Sequence, residues 1–179
     1  MQILIFPNNA LRKIAEDYDL KNESEKKKII KLIDEMKKAM YGANGVGLAS
    51  PQVGISKKLF IIDVEQKVEK DDDGKVISRI PGELLVFINP EITDKEGSVT
   101  YEEGCLSVPG VYEEVKRAKK VTIKYYDEHF NERARIAEDF LAVAIQHEYD
   151  HLEGKLFIDR LPVVKRTIVK NRILKGKNL

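Results

Sequence analysis

The sequence holds one cysteine, no tryptophan and only three histidines among 179 residues. A single cysteine cannot close an internal disulfide, so packing alone must hold the fold, and a reducing, cytoplasmic setting is expected. Long apolar runs are missing too. Nothing approaches membrane-spanning length, and Met1–Pro7 is too short and uncharged for a secretory signal, so no membrane partner is expected. Net charge is only +1, which excludes a global pull toward nucleic acid, and no sequence-specific nucleic-acid partner is expected. Acid is absent from one place: residues 160–179 carry seven Lys/Arg and no Asp or Glu, leaving residues 1–159 at −6. No repeat is visible. The length suits one domain with a real core, and a single domain over residues 1–179 is expected.

Two of the three histidines fall in one phrase, Gln146-His147-Glu148-Tyr149-Asp150-His151-Leu152-Glu153-Gly154. His-Glu-x-x-His on a helix puts both imidazoles on one face, one turn apart, where they can share a metal ion. Glu148 between them can serve as general acid and base. Glu138-Asp139 suits a helix start, Phe140–Ile145 supplies an apolar segment, and Gly154 a stop. A surface helix that merely carries two histidines is the plain alternative. It accounts neither for Glu148 nor for the apolar flank.

Elsewhere the pattern predicts an extended arm through Phe6, then a helix from Ser24, as N-cap, to Met40, with Ile29, Leu32, Ile33, Met36 and Met40 at helical spacing. Lys58–Val64 and Glu83–Asn89 read as buried strands, the second halted by Pro90. Ser98–Glu103, Tyr112–Val115 and Val121–Tyr126 read as shorter strands. Residues 65–82 form a charged segment with a hairpin signal at Asp73-Gly74. His129 lies in a polar, exposed turn. The basic tail is expected to form a helix over about 161–175, with Pro162 in its first turn. The fold class expected is α+β: small antiparallel sheets packed around the central metal-binding helix, with an N-terminal and a C-terminal helix.

His-Glu-x-x-His needs a third ligand, and no histidine follows His151. Upstream, Cys105 is the one strong soft ligand. A lone cysteine is commonly a small core residue, but this one sits between Gly104 and Pro109 after two glutamates, a poor setting for core filling. Cys-His-His with an open fourth position is a sound catalytic geometry. Gly45-Val46-Gly47 is either an ordinary turn or a place of close backbone approach to a ligand. Arg117 is either an ion-pair partner of Glu103 or Asp150, or a surface residue. Asp150 and Glu153 either orient the histidines or cap the helix.

Gly45-Val46-Gly47-Leu48-Ala49-Ser50-Pro51-Gln52, Glu103-Gly104-Cys105-Leu106-Ser107 and Gln146–His151 resemble, in order, the three motifs of the peptide deformylase family. Leu11-Arg12, Asn89-Pro90, Arg117 and Leu156–Leu161 extend the likeness over nearly the whole chain. Ser50 departs from the family's usual alanine, a small-for-small change that should leave the turn intact. Residues 65–82 are longer than expected between these strands. The resemblance implies hydrolysis of the N-formyl group from the initiator methionine of nascent polypeptides, with release of formate. It implies a metal held by Cys105, His147 and His151, usually Fe2+, with Zn2+, Ni2+ or Co2+ able to occupy the site. Glu148 would move the protons, and Gln52 and the backbone N–H of Leu106 would steady the oxyanion. Val46, Gly47, Phe140, Val143 and Ala144 would line the methionine pocket, with the ring of His147. The basic tail suggests docking on the ribosome near the exit tunnel by phosphate contacts. Two other readings remain. A zinc endopeptidase would want its third ligand after His151, and a metal-stabilised ribosomal binding module would need neither Glu148 nor Gln52.

Overall fold

The computed structural model describes residues 1–73 and 76–176. The described residues form three helices, α1 (Glu23–Gly42), α2 (Asp139–Leu152) and α3 (Val163–Leu174), and nine strands. The strands are β1 (Gly47–Ala49), β2 (Leu59–Ile62), β3 (Lys67–Lys70), β4 (Val76–Ile80), β5 (Leu85–Glu96), β6 (Val99–Cys105), β7 (Val108–Arg117), β8 (Lys120–Tyr126) and β9 (Glu132–Glu138). One antiparallel sheet runs β1-β2-β5-β8-β9, and β3-β4 and β6-β7 are separate antiparallel pairs. This is the expected α+β arrangement.

Alternation along β2 explains where α1 and α2 go. Side chains of a strand point to opposite faces in turn. Leu59 and Ile61 pack with Ile29, Leu32, Ile33, Met36 and Met40 of α1. Phe60 and Ile62 pack with Ala142, Ile145 and Leu152 of α2. The sheet is therefore covered on both faces, which is why residues 59–62 read as an unbroken apolar run. A third cluster joins Val108, Val111 and Val115 of β7 to Leu156, Phe157, Ile158, Leu161 and Val169, so the β6-β7 pair rests on the chain leading into α3.

Three expectations need correction. The N-cap of α1 is Asn22, not Ser24: its Oδ1 accepts from the N–H groups of Ser24 at 2.9 Å and Glu25 at 3.3 Å, and so satisfies two free helix donors. Pro90 does not halt its strand. Asn89 takes a left-handed φ of 47° and the ladder slips between Ile88 and Glu91, so proline's missing N–H falls inside a bulge. Strand β9 was not expected, because it is an edge strand whose one buried residue is Ala137. Cys105 ends β6, and Leu106-Ser107 is a two-residue turn into β7. Residues 65–82 do form an antiparallel pair, with Gly74 of its expected turn outside the described residues. The C-terminal helix begins at Val163, after a separate 3-10 turn at Phe157–Arg160 and with Pro162 just ahead of it.

Candidate active site

Helix α2 presents His147 and His151 from consecutive turns, with ring centroids 5.2 Å apart. The end of β6 brings Cys105 to them, its Sγ 3.3 Å from His151 Nε2. One ligand atom from each of the three residues lies within 4.8 Å of the others. Bonds of about 2.0–2.3 Å to a shared ion require separations of this order. The donor set therefore fits a divalent transition metal: one thiolate, two imidazoles and, by general coordination chemistry, one position left open. Burial, and next the neighbouring His147, push the His151 imidazole well below its usual range, toward the neutral form that binds metal.

His147 is oriented from behind. Its Nδ1 lies 2.8 Å from Glu103 Oε2, and since a carboxylate only accepts, Nδ1 is the donor and Nε2 is left for the cluster. Glu103 and Cys105 share one face of β6, two residues apart, so the same strand supplies a ligand and the partner of another. Arg117 grips Glu103 with two bonds, of 2.7 and 2.9 Å, and reaches Asp150 Oδ2 at 2.6 Å. Asp150 also takes two bonds from Arg160. Both acids proposed for Arg117 are thus its partners, and it is buried. Asp150 orients arginines, not histidines, and Glu153 pairs with exposed Lys155. Sequence reasoning missed Glu103 as a histidine partner, although its i, i+2 spacing from Cys105 was a usable signal.

Glu148 is 4% exposed, and its Oε2 has no hydrogen-bond partner among the described residues. Burial pushes its carboxyl up to about 7, with the His147 charge opposing and the Glu103 charge adding to the rise. A dication in the cluster would draw that value down again. Gly47 makes room for this carboxylate: a Cβ there would lie 2.4 Å from Glu148 Oε1. The close-approach reading of the glycine pair therefore applies, though what approaches is a side chain of the protein itself.

Gln52 is buried on a 3-10 turn, Ser50–Val53. Its Oε1 accepts from Ala49 N–H at 2.7 Å, which aims its amide nitrogen at Ser107 Oγ (3.2 Å) and Cys105 Sγ (3.5 Å). Ser107 was not foreseen as its partner. Ser50 keeps the turn intact by donating its hydroxyl to the Lys57 carbonyl. A cavity of about 490 Å³ opens in front of this group. Val46, Gly47, Phe140, Val143 and Ala144 all line it, along with Cys105, Leu106, His147 and Glu148. Tyr112, on β7, lines it too and was not expected there. His129 is exposed and lies apart from this cluster.

A model of the polypeptide deformylase family matches residues 1–167. Peptide deformylase 1 of Clostridium perfringens is 54% identical over 128 residues, which cover 72% of this chain and 78% of the relative. Peptide deformylase 2 of Xanthomonas axonopodis pv. citri is 40% identical over 177 residues, 99% of this chain and 96% of the relative. The crystal structure of a peptide deformylase from Legionella pneumophila superposes with a TM-score of 0.81 at 41% identity, covering 98% of this chain and 94% of that one. Fold and likeness together define a metallohydrolase acting on a linear amide. The chain belongs to the peptide deformylase family, whose activity is removal of the formyl group from N-terminal methionine.

Proposed function

We propose that residues 1–179 act as one catalytic domain in the cytoplasm, with Cys105, His147 and His151 holding one ferrous ion and Glu148 moving the protons of formyl hydrolysis. The convergence of the three ligand atoms beside a buried, unpartnered carboxylate carries this reading. When bound, a divalent metal supplies Lewis acidity, polarising the formyl carbonyl and making water acidic enough to attack near neutral pH. Glu148 Oε2 takes the water proton and later delivers a proton to the departing amine. The Gln52 amide and the Leu106 N–H face the charge that develops on the formyl oxygen. Gln52 suits this because the Ala49 N–H, an obligate donor, fixes the sense of its amide. Val46, Gly47, Phe140, Val143 and Ala144 hold the methionine side chain. Zinc, nickel and cobalt suit the same ligands. Anaerobically purified protein is expected to carry about one iron per chain and to release formate from formyl-Met-Ala-Ser. That activity should decay in air as iron or its thiolate oxidises, and persist with nickel or zinc. Iron-loaded protein that is fully stable in air, or formate release without metal, would overturn the assignment.

The basic tail docks the enzyme on ribosomal RNA near the peptide exit. Arg160, Arg166 and Lys170 line an open cleft of about 570 Å³ together with Arg12 and Lys155, against one acid, Asp159. Part of the tail is already neutralised, since Lys165 pairs with Glu113 and Lys170 with Asp159. Several phosphate contacts of this kind give weak, salt-sensitive binding without sequence readout, and raise the local concentration of nascent chains. Charge reversal at Lys165, Arg166 and Lys170 should weaken ribosome co-sedimentation at low salt and leave turnover of a short formyl peptide within about twofold, no catalytic contact being lost. Unchanged co-sedimentation returns the tail to an ordinary solvated helix face.

A further inference from the structure

Residues 65–82 lie outside every motif, yet their base is tied to the rim of the cavity. Asp63, fully buried, is the tie. Its backbone N–H donates to the Val46 carbonyl at 2.8 Å. Its carboxylate accepts from Tyr41 Oη at 2.6 Å, from Glu65 N–H at 3.1 Å and from Gly82 N–H at 2.9 Å, so one side chain staples both ends of the segment. The Gln66 side-chain amide completes the tie, donating to the carbonyls of Gly45 at 2.9 Å and Asp63 at 3.0 Å. Both neighbours are acceptors, which fixes the sense of the amide and leaves Oε1 buried and unpartnered among the described residues.

We infer that Gln66 is a positioning residue for substrate binding: it fixes the Gly45 carbonyl, and through it the Gly45–Gly47 rim that closes one side of the cavity. Gly45 also lies close to Leu106, whose Cδ1 would be 2.7 Å from a Cβ at this position. The rim is thus held at Gly45 by Gln66 and at Val46 by the Asp63 N–H. The inference rests on the reading that Val46 and Gly47 line the methionine pocket. The strands β3 and β4 beyond Gln66 are not needed for it; only the base of the segment is.

The test compares three variants of the nickel-loaded enzyme on formyl-Met-Ala-Ser. Gln66→Ala should raise KM roughly three- to ten-fold, the worth of a hydrogen bond acting equally on bound substrate and transition state, with kcat within about twofold. Metal content should not change, and amide hydrogen exchange over residues 43–47 should quicken. Replacing residues 68–79 by Gly-Gly, with Asp63, Gln66 and Gly82 kept, should leave KM within about twofold of wild type, because those bonds survive. Val46→Phe fills the pocket directly and should raise KM by itself. If it does not, the pocket reading fails, independently of Gln66. An unchanged KM in Gln66→Ala overturns the inference. So does a fall in kcat matched by metal loss, which would mark a merely structural role.

Discussion

Glu148 shows how a single side chain acquires its chemistry from what surrounds it. Its own helix turn supplies His147 and His151 on the metal side, Gly47 gives it room, and burial holds its carboxyl near 7 in the absence of a cation. A bound dication favours the carboxylate form, which leaves Glu148 able to take a proton from water and return it. Glu148→Ala should therefore keep the metal, since Cys105, His147 and His151 are untouched, but lose at least about 10²-fold in kcat. Metal analysis beside formate release checks both halves. Activity within a factor of a few of wild type would remove Glu148 from the role. Gln52 is governed by the same logic at one remove: the Ala49 N–H decides which way its amide points, and Ser107 receives its nitrogen.

At the scale of elements, α3 is joined to the body by Asp159 as well as by Val169. The Asp159 carboxylate takes Arg12, Lys170 and the Leu156 N–H, so one acid links an N-terminal 3-10 turn (Asn9–Arg12), the turn before α3 and α3 itself. Burial favours the neutral acid, but these donors outweigh it and hold the carboxyl down at about 2. Because the folded value lies below the unfolded value of about 3.9, the ion pairs contribute fully above pH ~4 and are lost as pH falls toward 2. The melting-temperature gap between wild type and Asp159→Asn should be constant above pH 5 and narrow below about pH 4. A gap that stays constant down to pH 3 would show that charge at Asp159 is not what holds α3.

Across the whole molecule, the β6-β7 pair and α2 are locked by a buried relay of charge. Arg117 on β7 binds Glu103 on β6 and Asp150 on α2, and Asp150 continues to Arg160. The carboxyls of Glu103 and Asp150 are both held below their usual range; burial opposes this, and the arginine bonds, with His147 at Glu103, prevail. Removing the central cation leaves two buried carboxylates short of a partner, Glu103 keeping only His147 and Asp150 only Arg160. Breaking a buried pair in this way costs about 3–5 kcal/mol. Arg117→Met should lower unfolding stability by that order in a denaturant titration of zinc-loaded protein, and loosen the metal through Glu103 and His147. A loss below about 1 kcal/mol would place Arg117 among ordinary surface pairs.

The residues themselves determined the chemistry. His147, Glu148 and His151 are bound together by helical spacing, which needs no tertiary contact to place two rings on one face. The absence of any histidine after His151 left Cys105 as the strongest remaining soft donor. The apolar run Leu59–Ile62 likewise announced a strand covered on both sides. The tertiary structure decided what depends on residues far apart in the chain. Arg117 could pair with either of two acids, and only the fold, which brings the end of β7 beside both β6 and α2, puts both within reach. Pro90 read as a stop because a local rule cannot see that the ladder bulges where its N–H is missing. Strand β9 exists because β8 offers it a free edge, not because its own sequence alternates. The tie from Gln66 to Gly45 spans 21 residues of chain, and nothing in the composition of the charged segment announces it, since a hydrogen bond between distant partners has no period.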